Sequence, residues 1–250
     1  MYTTTIKFNI PKILEYILND LQELGARAIL VGGCVRDYFL ISPVKDYDVE
    51  IFGIDCFDTI ENSLKKFGSV KLVGKSFGVL TLRVDNYDFD FALPRREKKV
   101  GNSHQDFEII TNANLSFKEA AMRRDFTINA IGYDFFNKEF LDPFDGLSDL
   151  KARVIKHIDD NTFIEDSLRV YRAVGFASRF NFKLEEKTKE LCKQIVLEDE
   201  LKYLPKERVF EEFKKLFLKS IKPSIGFELI YELGILKYFP ELKALIGCIQ

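Results

Sequence analysis

A chain of 250 residues, 46% of them hydrophobic, is long enough for one large or two modest domains. Its formal net charge of −2 does not mark a nucleic-acid binder, and no apolar run approaches the roughly 18 residues needed to span a bilayer. The start, MYTTTIKFNIPKILEY, lacks the basic-then-apolar order of a secretory signal, and Cys34, Cys56, Cys192 and Cys248 form no CxxC pair, so they read as reduced packing thiols of a cytoplasmic protein.

Residues 11–25 place Ile13, Leu14, Ile17, Leu18, Leu21 and Leu24 at helical spacing, with Gly25 as a stop. A short apolar strand over residues 27–31 follows, then Gly32-Gly33 and a helix over CVRDYFL. A second strand is expected at 47–52, a helix at 57–67, and alternating strands at 70–74, 78–84 and 86–92. The mixture predicts an α+β sheet domain. Residues 95–117 are polar and aperiodic and read as a mobile loop. From about residue 117 the chain reads as mainly helical. LDPFDGLSDL at 141–150 is broken by Asp-Pro and Asp-Gly, which places a domain boundary there: residues 1–145, then a helical part over 146–250. Residues 201–222 carry seven Lys/Arg against three Glu, which alone is best read as a solvated helix face.

Chemistry concentrates in KDYD. Asp46 and Asp48 sit at i and i+2, so on a strand they face the same way and repel unless a cation lies between them. Oxygen ligands at this spacing suit Mg²⁺, which also binds phosphates. A second strand, YDFDFAL, repeats the pattern with Asp88 and Asp90; Asp90 lies deeper in the apolar run and is the better third carboxylate. Three carboxylates could hold two ions for in-line phosphoryl displacement. Gly32 and Gly33 allow close backbone approach to a phosphate, and Arg36 adds a fork-shaped donor. With two histidines, His104 and His157, a His/Cys zinc site is not expected.

VGGCVRD (31–37) followed by KDYD resembles the signature of the class II nucleotidyltransferases, the family of tRNA CCA-adding enzymes and bacterial poly(A) polymerases. FALPRREKKVG, RRDFTINA, LDPFDGLSDL, EDSLRVYRAVGFASRF and LPKERVFEEF follow in the family's order and extend the resemblance over nearly the whole chain. It implies a polymerase-beta-like head followed by an all-helical neck. It implies Asp46 and Asp48 as metal ligands, Asp90 as a third catalytic acid, and Mg²⁺ as cofactor. Gly32, Gly33, Arg36, Arg124, Asp125 and Asn129 become candidate nucleotide contacts. In EDSLR, Glu165, Asp166, Arg169 and Arg172 fall on one arc if the segment is helical, with Glu165 able to hold Arg169; the family uses this motif as an amino-acid template for CTP and ATP. The segment 95–117 matches a loop that, in the family, helps the change from adding C to adding A.

The implied activity is template-independent addition of C and A to tRNA 3′ ends from CTP and ATP, with pyrophosphate released. Poly(A) polymerase or A-adding activity is the alternative, and a non-catalytic RNA-binding module the least favoured. The expected partners are tRNA, CTP and ATP, and no membrane; oligomeric state is left open. Many bacterial relatives carry a further C-terminal region, so a shortened chain, or one that relies on a partner for the tRNA elbow, is expected.

Overall fold

The computed structural model describes residues 8–73, 78–99 and 107–243. Within them the chain divides into two compact units. The first takes residues up to Lys98, then Glu108–Arg123 and Asn129–Phe144; the second includes Arg124–Ile128 and the chain from Asp145 onward.

In the first unit, α1 (Lys12–Glu23) buries Leu14, Ile17, Leu18 and Leu21, the stripe its spacing predicts. Strand β1 (Arg27–Val31) leads through Gly32 into α2 (Gly33–Phe39) and then β2 (Asp46–Phe52). Gly32 sits at φ 71°, a backbone region open to glycine at little steric cost, which turns the chain sharply between strand and helix. Next come α3 (Phe57–Leu64), β3 (Val70–Val73), β4 (Val79–Val84) and β5 (Tyr87–Ala92). β6 (Arg95–Lys99) and β7 (Phe107–Thr111) form a separate two-stranded sheet, so much of the expected loop at 95–117 is ordered strand; residues 100–106 lie outside the described residues. After α4 (Phe117–Ala121), β8 (Gly132–Asp134) and β9 (Glu139–Leu141) join the main sheet, where helix was expected.

The main sheet has seven strands in the order β3-β4-β5-β2-β1-β8-β9. Its central pair, β2 and β5, is parallel; the other neighbours are antiparallel. One face packs an aromatic cluster in which Phe8 meets Tyr38 at 4.7 Å and Tyr133 at 4.8 Å, and Tyr133 meets Phe140 at 4.9 Å. On the other face Phe117 of α4 lies directly over Gly132, where a Cβ would come within 2.5 Å of its ring. The missing side chain at 132 is what lets α4 seat on the sheet at that end.

In the second unit, α5 (Gly146–Ala152) precedes β10 (Val154–Ile155), α6 (Asp160–Glu165) and α7 (Leu168–Phe180). β11 (Lys183–Leu184), α8 (Glu186–Leu197), α9 (Lys206–Lys219) and α10 (Pro223–Glu232) follow. β10 and β11 pair in parallel, so the expected all-helical part is helical with one short ladder. α7 is the hub, packing against both α9 and α10. The basic segment 201–222 supplies α9, which buries Val209, Glu212 and Leu216. Its outer face is not simply polar: Phe210, Phe217 and Leu218 are exposed beside the lysines. Cys34 and Cys192 are buried packing thiols, Cys56 is exposed, and Cys248 lies outside the described residues, as does His104. Among the described residues no helix is long and apolar enough to cross a membrane.

The turn between β8 and β9 is organised by Asp134, whose side chain is fully buried. It accepts from Arg27 Nε at 2.7 Å, from the backbone N–H of Phe136 at 3.0 Å and of Asn137 at 3.1 Å, and from Asn137 Nδ2 at 2.8 Å. Burial pushes the carboxyl up, but the Asn137 N–H and the Arg27 guanidinium outweigh it and hold it below the ordinary value near about 4. A depressed folded value contributes stability that is present above the unfolded value and lost as pH falls through the folded one. Asp134→Asn therefore lowers stability at neutral pH and flattens the decline below about pH 4. Urea midpoints across that range test it; a parallel acid decline in both proteins would contradict it.

Candidate active site

The register of the parallel pair creates the site. Asp46 pairs with Asp88 and Asp48 with Asp90, so all four carboxylates project from one face of the sheet. The intervening Tyr47 and Phe89 point into the core, 6% and 0% exposed. This alternation is why aspartates are tolerated in two central strands: the apolar partners anchor each strand while the acids stay at the surface. Glu50, next on the same face of β2, is 2% exposed and is neutralised by Arg123 at 2.7 Å. Arg83 of β4 pairs with Asp88 at 2.9 Å. The Thr81 hydroxyl donates to Asp90 Oδ1 at 2.5 Å.

Asp46, Asp48 and Asp90 together offer oxygen donors only, the chemistry a hard divalent cation takes. Among the described residues no three His, Cys, Asp or Glu side chains are grouped so as to hold a metal ion by themselves. Cys34 lies beside Asp48, but burial, followed by the Asp48 charge, pushes its thiol up to about 12, and it donates to the Val31 carbonyl at 3.1 Å. It is a neutral packing group and not a nucleophile.

Arg36 is 4% exposed. Its guanidinium donates to Asn129 Oδ1 at 2.5 Å and to Asp37 Oδ1 at 2.8 Å. Two expected nucleotide contacts, Arg36 and Asn129, are thus joined by a buried hydrogen bond that spans α2 and the short 3-10 turn Thr127–Asn129. Gly33 carries no side chain above this guanidinium; a Cβ there would stand 3.5 Å from Nη2.

Within the second unit, Asp125 binds Arg172, with 2.7 Å to Nε and 2.5 Å to Nη2. Asp125 is 7% exposed, and its carboxylate, followed by those of Glu212 and Asp166, holds the Arg172 proton more firmly than usual against the opposing effect of burial. The EDSLR segment departs from expectation. Asp166 is not on a helix: α6 ends at Glu165, and Asp166 is extended at φ −118°, ψ 93°. Its Oδ1 accepts the N–H of Leu168 at 3.1 Å, and its carbonyl that of Arg169 at 3.0 Å, so it opens α7. Glu165 and Arg169 therefore lie on different helices and do not pair. Arg169 Nη1 donates instead to the Thr162 carbonyl at 2.7 Å, which steadies an 8%-exposed guanidinium. Leu168, Val170, Tyr171 and Val174 bury as the spacing predicts. Arg124 is half-buried and belongs to the second unit, whereas Arg123 belongs to the first.

Sequence reading missed the partners Thr81, Arg83 and Thr162. Strand alternation could have placed Thr81 and Arg83 on the acid face once β4 was aligned beside β5; the Thr162 carbonyl carries no side-chain signal.

Comparisons with known proteins identify the family. Residues 28–156 match the family described as "Poly A polymerase head domain", and residues 181–246 match "Probable RNA and SrmB- binding site of polymerase A". A multifunctional CCA protein of Pseudoalteromonas atlantica is 38% identical over 222 residues, 87% of this chain and 52% of that protein. A CCA-adding enzyme of Buchnera aphidicola is 37% identical over 217 residues, 85% of this chain and 50% of that protein. The chain thus spans about half the length of the curated relatives it matches. Among solved structures, the Thermotoga maritima CCA-adding enzyme complexed with tRNA superposes with a TM-score of 0.76 at 28% identity, covering 95% of this chain and 55% of that one.

The buried Asp125–Arg172 pair makes a stability prediction. Asp125→Ala leaves Arg172 without its principal counter-charge and costs about 3 kcal/mol, the low end for a buried pair because part of the guanidinium reaches solvent. Urea unfolding measures this, and a loss indistinguishable from zero would show the pair to be incidental.

Proposed function

This chain belongs to the poly(A) polymerase head-domain family of nucleotidyltransferases, and we propose that it adds C and A residues to tRNA 3′ ends from CTP and ATP. The family generally uses a divalent metal, and we assign Mg²⁺ here. The observation that carries the reading is the β2–β5 register, with Asp46, Asp48 and Asp90 on one sheet face. Similarity to CCA-adding enzymes of about the same identity along most of the chain supports tRNA as acceptor.

In this reading residues 1–145 form the catalytic head, and residues 146–250 form a helical part that selects the base and begins the RNA-binding surface. The RNA 3′-hydroxyl attacks the α-phosphorus of the incoming nucleotide; a phosphodiester forms as the bond to pyrophosphate breaks. Asp46 and Asp48, with Asp90 beside them, would hold the metal. There it would supply acidification of the attacking hydroxyl and charge neutralisation on the leaving group. Arg36, buried and held by Asn129 and Asp37, stiffens the Gly32-Gly33 turn, whose backbone would receive a phosphate. Arg124 adds a second guanidinium for phosphate. Asp166 offers acceptors and Arg169 donors, the complement needed to recognise a base edge. Asp125 serves by fixing Arg172.

Incubation with tRNA lacking its CCA end, CTP, ATP and Mg²⁺ extends the RNA by three nucleotides. Long tails from ATP alone would indicate a poly(A) polymerase, and a single A on tRNA ending in CC an A-adding enzyme. Asp48→Ala removes several kcal/mol of charge stabilisation and lowers transfer by about a thousandfold; near-wild-type transfer would refute the metal assignment. Arg169→Ala blurs the choice among the four nucleotides more than it slows transfer overall. Equal loss with all four, at unchanged selectivity, would exclude a templating role.

A further inference from the structure

Four aspartates share one face of the β2–β5 pair, yet the neighbouring strand treats the two on β5 differently. Opposite Asp88 stands Arg83, whose Nε reaches Oδ1 at 2.9 Å and whose Nη2 reaches Oδ2 at 3.4 Å. Both oxygens of Asp88 face a guanidinium, and its charge is compensated. Opposite Asp90 stands Thr81, a neutral donor that takes only Oδ1, at 2.5 Å. Among the described residues this hydroxyl is the hydrogen-bond partner of the Asp90 carboxylate, and it leaves Oδ2 to another ligand.

We propose that Thr81 is a positioning residue for the metal site: its hydroxyl fixes the Asp90 carboxylate so that Oδ2 is the oxygen presented to the cation, while Arg83 withdraws Asp88 from competition. The inference rests on the proposed carboxylate metal site and names which acid on β5 completes it. Valine at position 81 keeps the shape and the β-branched backbone preference but deletes the donor. Freed of that bond, the Asp90 carboxylate rotates, and both its orientation and its readiness to bind a cation suffer. Groups that orient metal ligands in this way are worth roughly 10–100-fold in metal affinity.

The test is Mn²⁺ titration of the purified chain, followed by loss of the free-ion electron paramagnetic resonance signal, with thermal melting confirming that each variant is folded. Thr81→Val weakens Mn²⁺ binding by about 10-fold, Thr81→Ser restores wild-type affinity, and Asp90→Asn weakens it as well. Adding Thr81→Val to Asp90→Asn produces no further loss, because the two changes act through the same carboxylate. Should Thr81→Val melt early, Thr81→Ala repeats the donor deletion. Wild-type binding in both donor deletions, or an undiminished effect of Thr81→Val in the Asp90→Asn background, overturns the inference. Unchanged Mn²⁺ binding in Asp48→Ala would instead overturn the underlying site assignment.

Discussion

Repulsion among carboxylates on one sheet face is the constraint around which the first unit is built. Like charges held a few ångströms apart cost free energy in proportion to how poorly solvent screens them. The sheet tolerates the arrangement by separating functions along each strand. Tyr47, Phe89 and Phe91 fix β2 and β5 in the core, and the alternate positions hold the acids outward. Surrounding residues then divide the negative charge. Arg123 compensates Glu50, Arg83 compensates Asp88, and Thr81 donates a neutral hydrogen bond to Asp90.

A similar economy governs the second unit, where Arg172 and Arg169 each have a defined anchor. Asp125 grips Arg172 with one carboxylate oxygen, and a backbone carbonyl restrains Arg169. Such anchoring matters because a long flexible side chain loses considerable rotamer entropy when it orders on a ligand. Prior immobilisation moves that cost from binding to folding.

Much of this was legible in the sequence, because period-2 alternation and the i, i+2 acids are local signals. The strands that carry Asp46, Asp48 and Asp90 fall close to their expected bounds. What escaped depended on tertiary context. β8 has three residues, too few for a pattern, and its membership rests on Gly132 fitting beneath Phe117 and on Asp134 organising the following turn. The EDSLR spacing matched a helix because periodicity does not register a break; the Asp166 side chain closing onto the Leu168 N–H makes one. In residues 95–117, the charged β6 pairs with β7 outside the main sheet and so shows no core-facing alternation.

The parallel pairing of β2 with β5 has a further consequence, for how the molecule assembles. Parallel neighbours cannot be joined by a tight hairpin. Here α3, β3 and β4 intervene, and β4 must itself lie antiparallel against β5. Asp48 and Asp90 therefore become neighbours only after a long loop has closed, a step whose entropic cost precedes any reward from contact. The local β4–β5 hairpin holds Asp88 and Asp90, and β2 holds Asp46 and Asp48, so each half of the acid cluster sits on a different local element. A nascent chain therefore carries its aspartates as two separate pairs, which come face to face only when β2 and β5 pair in the completed sheet.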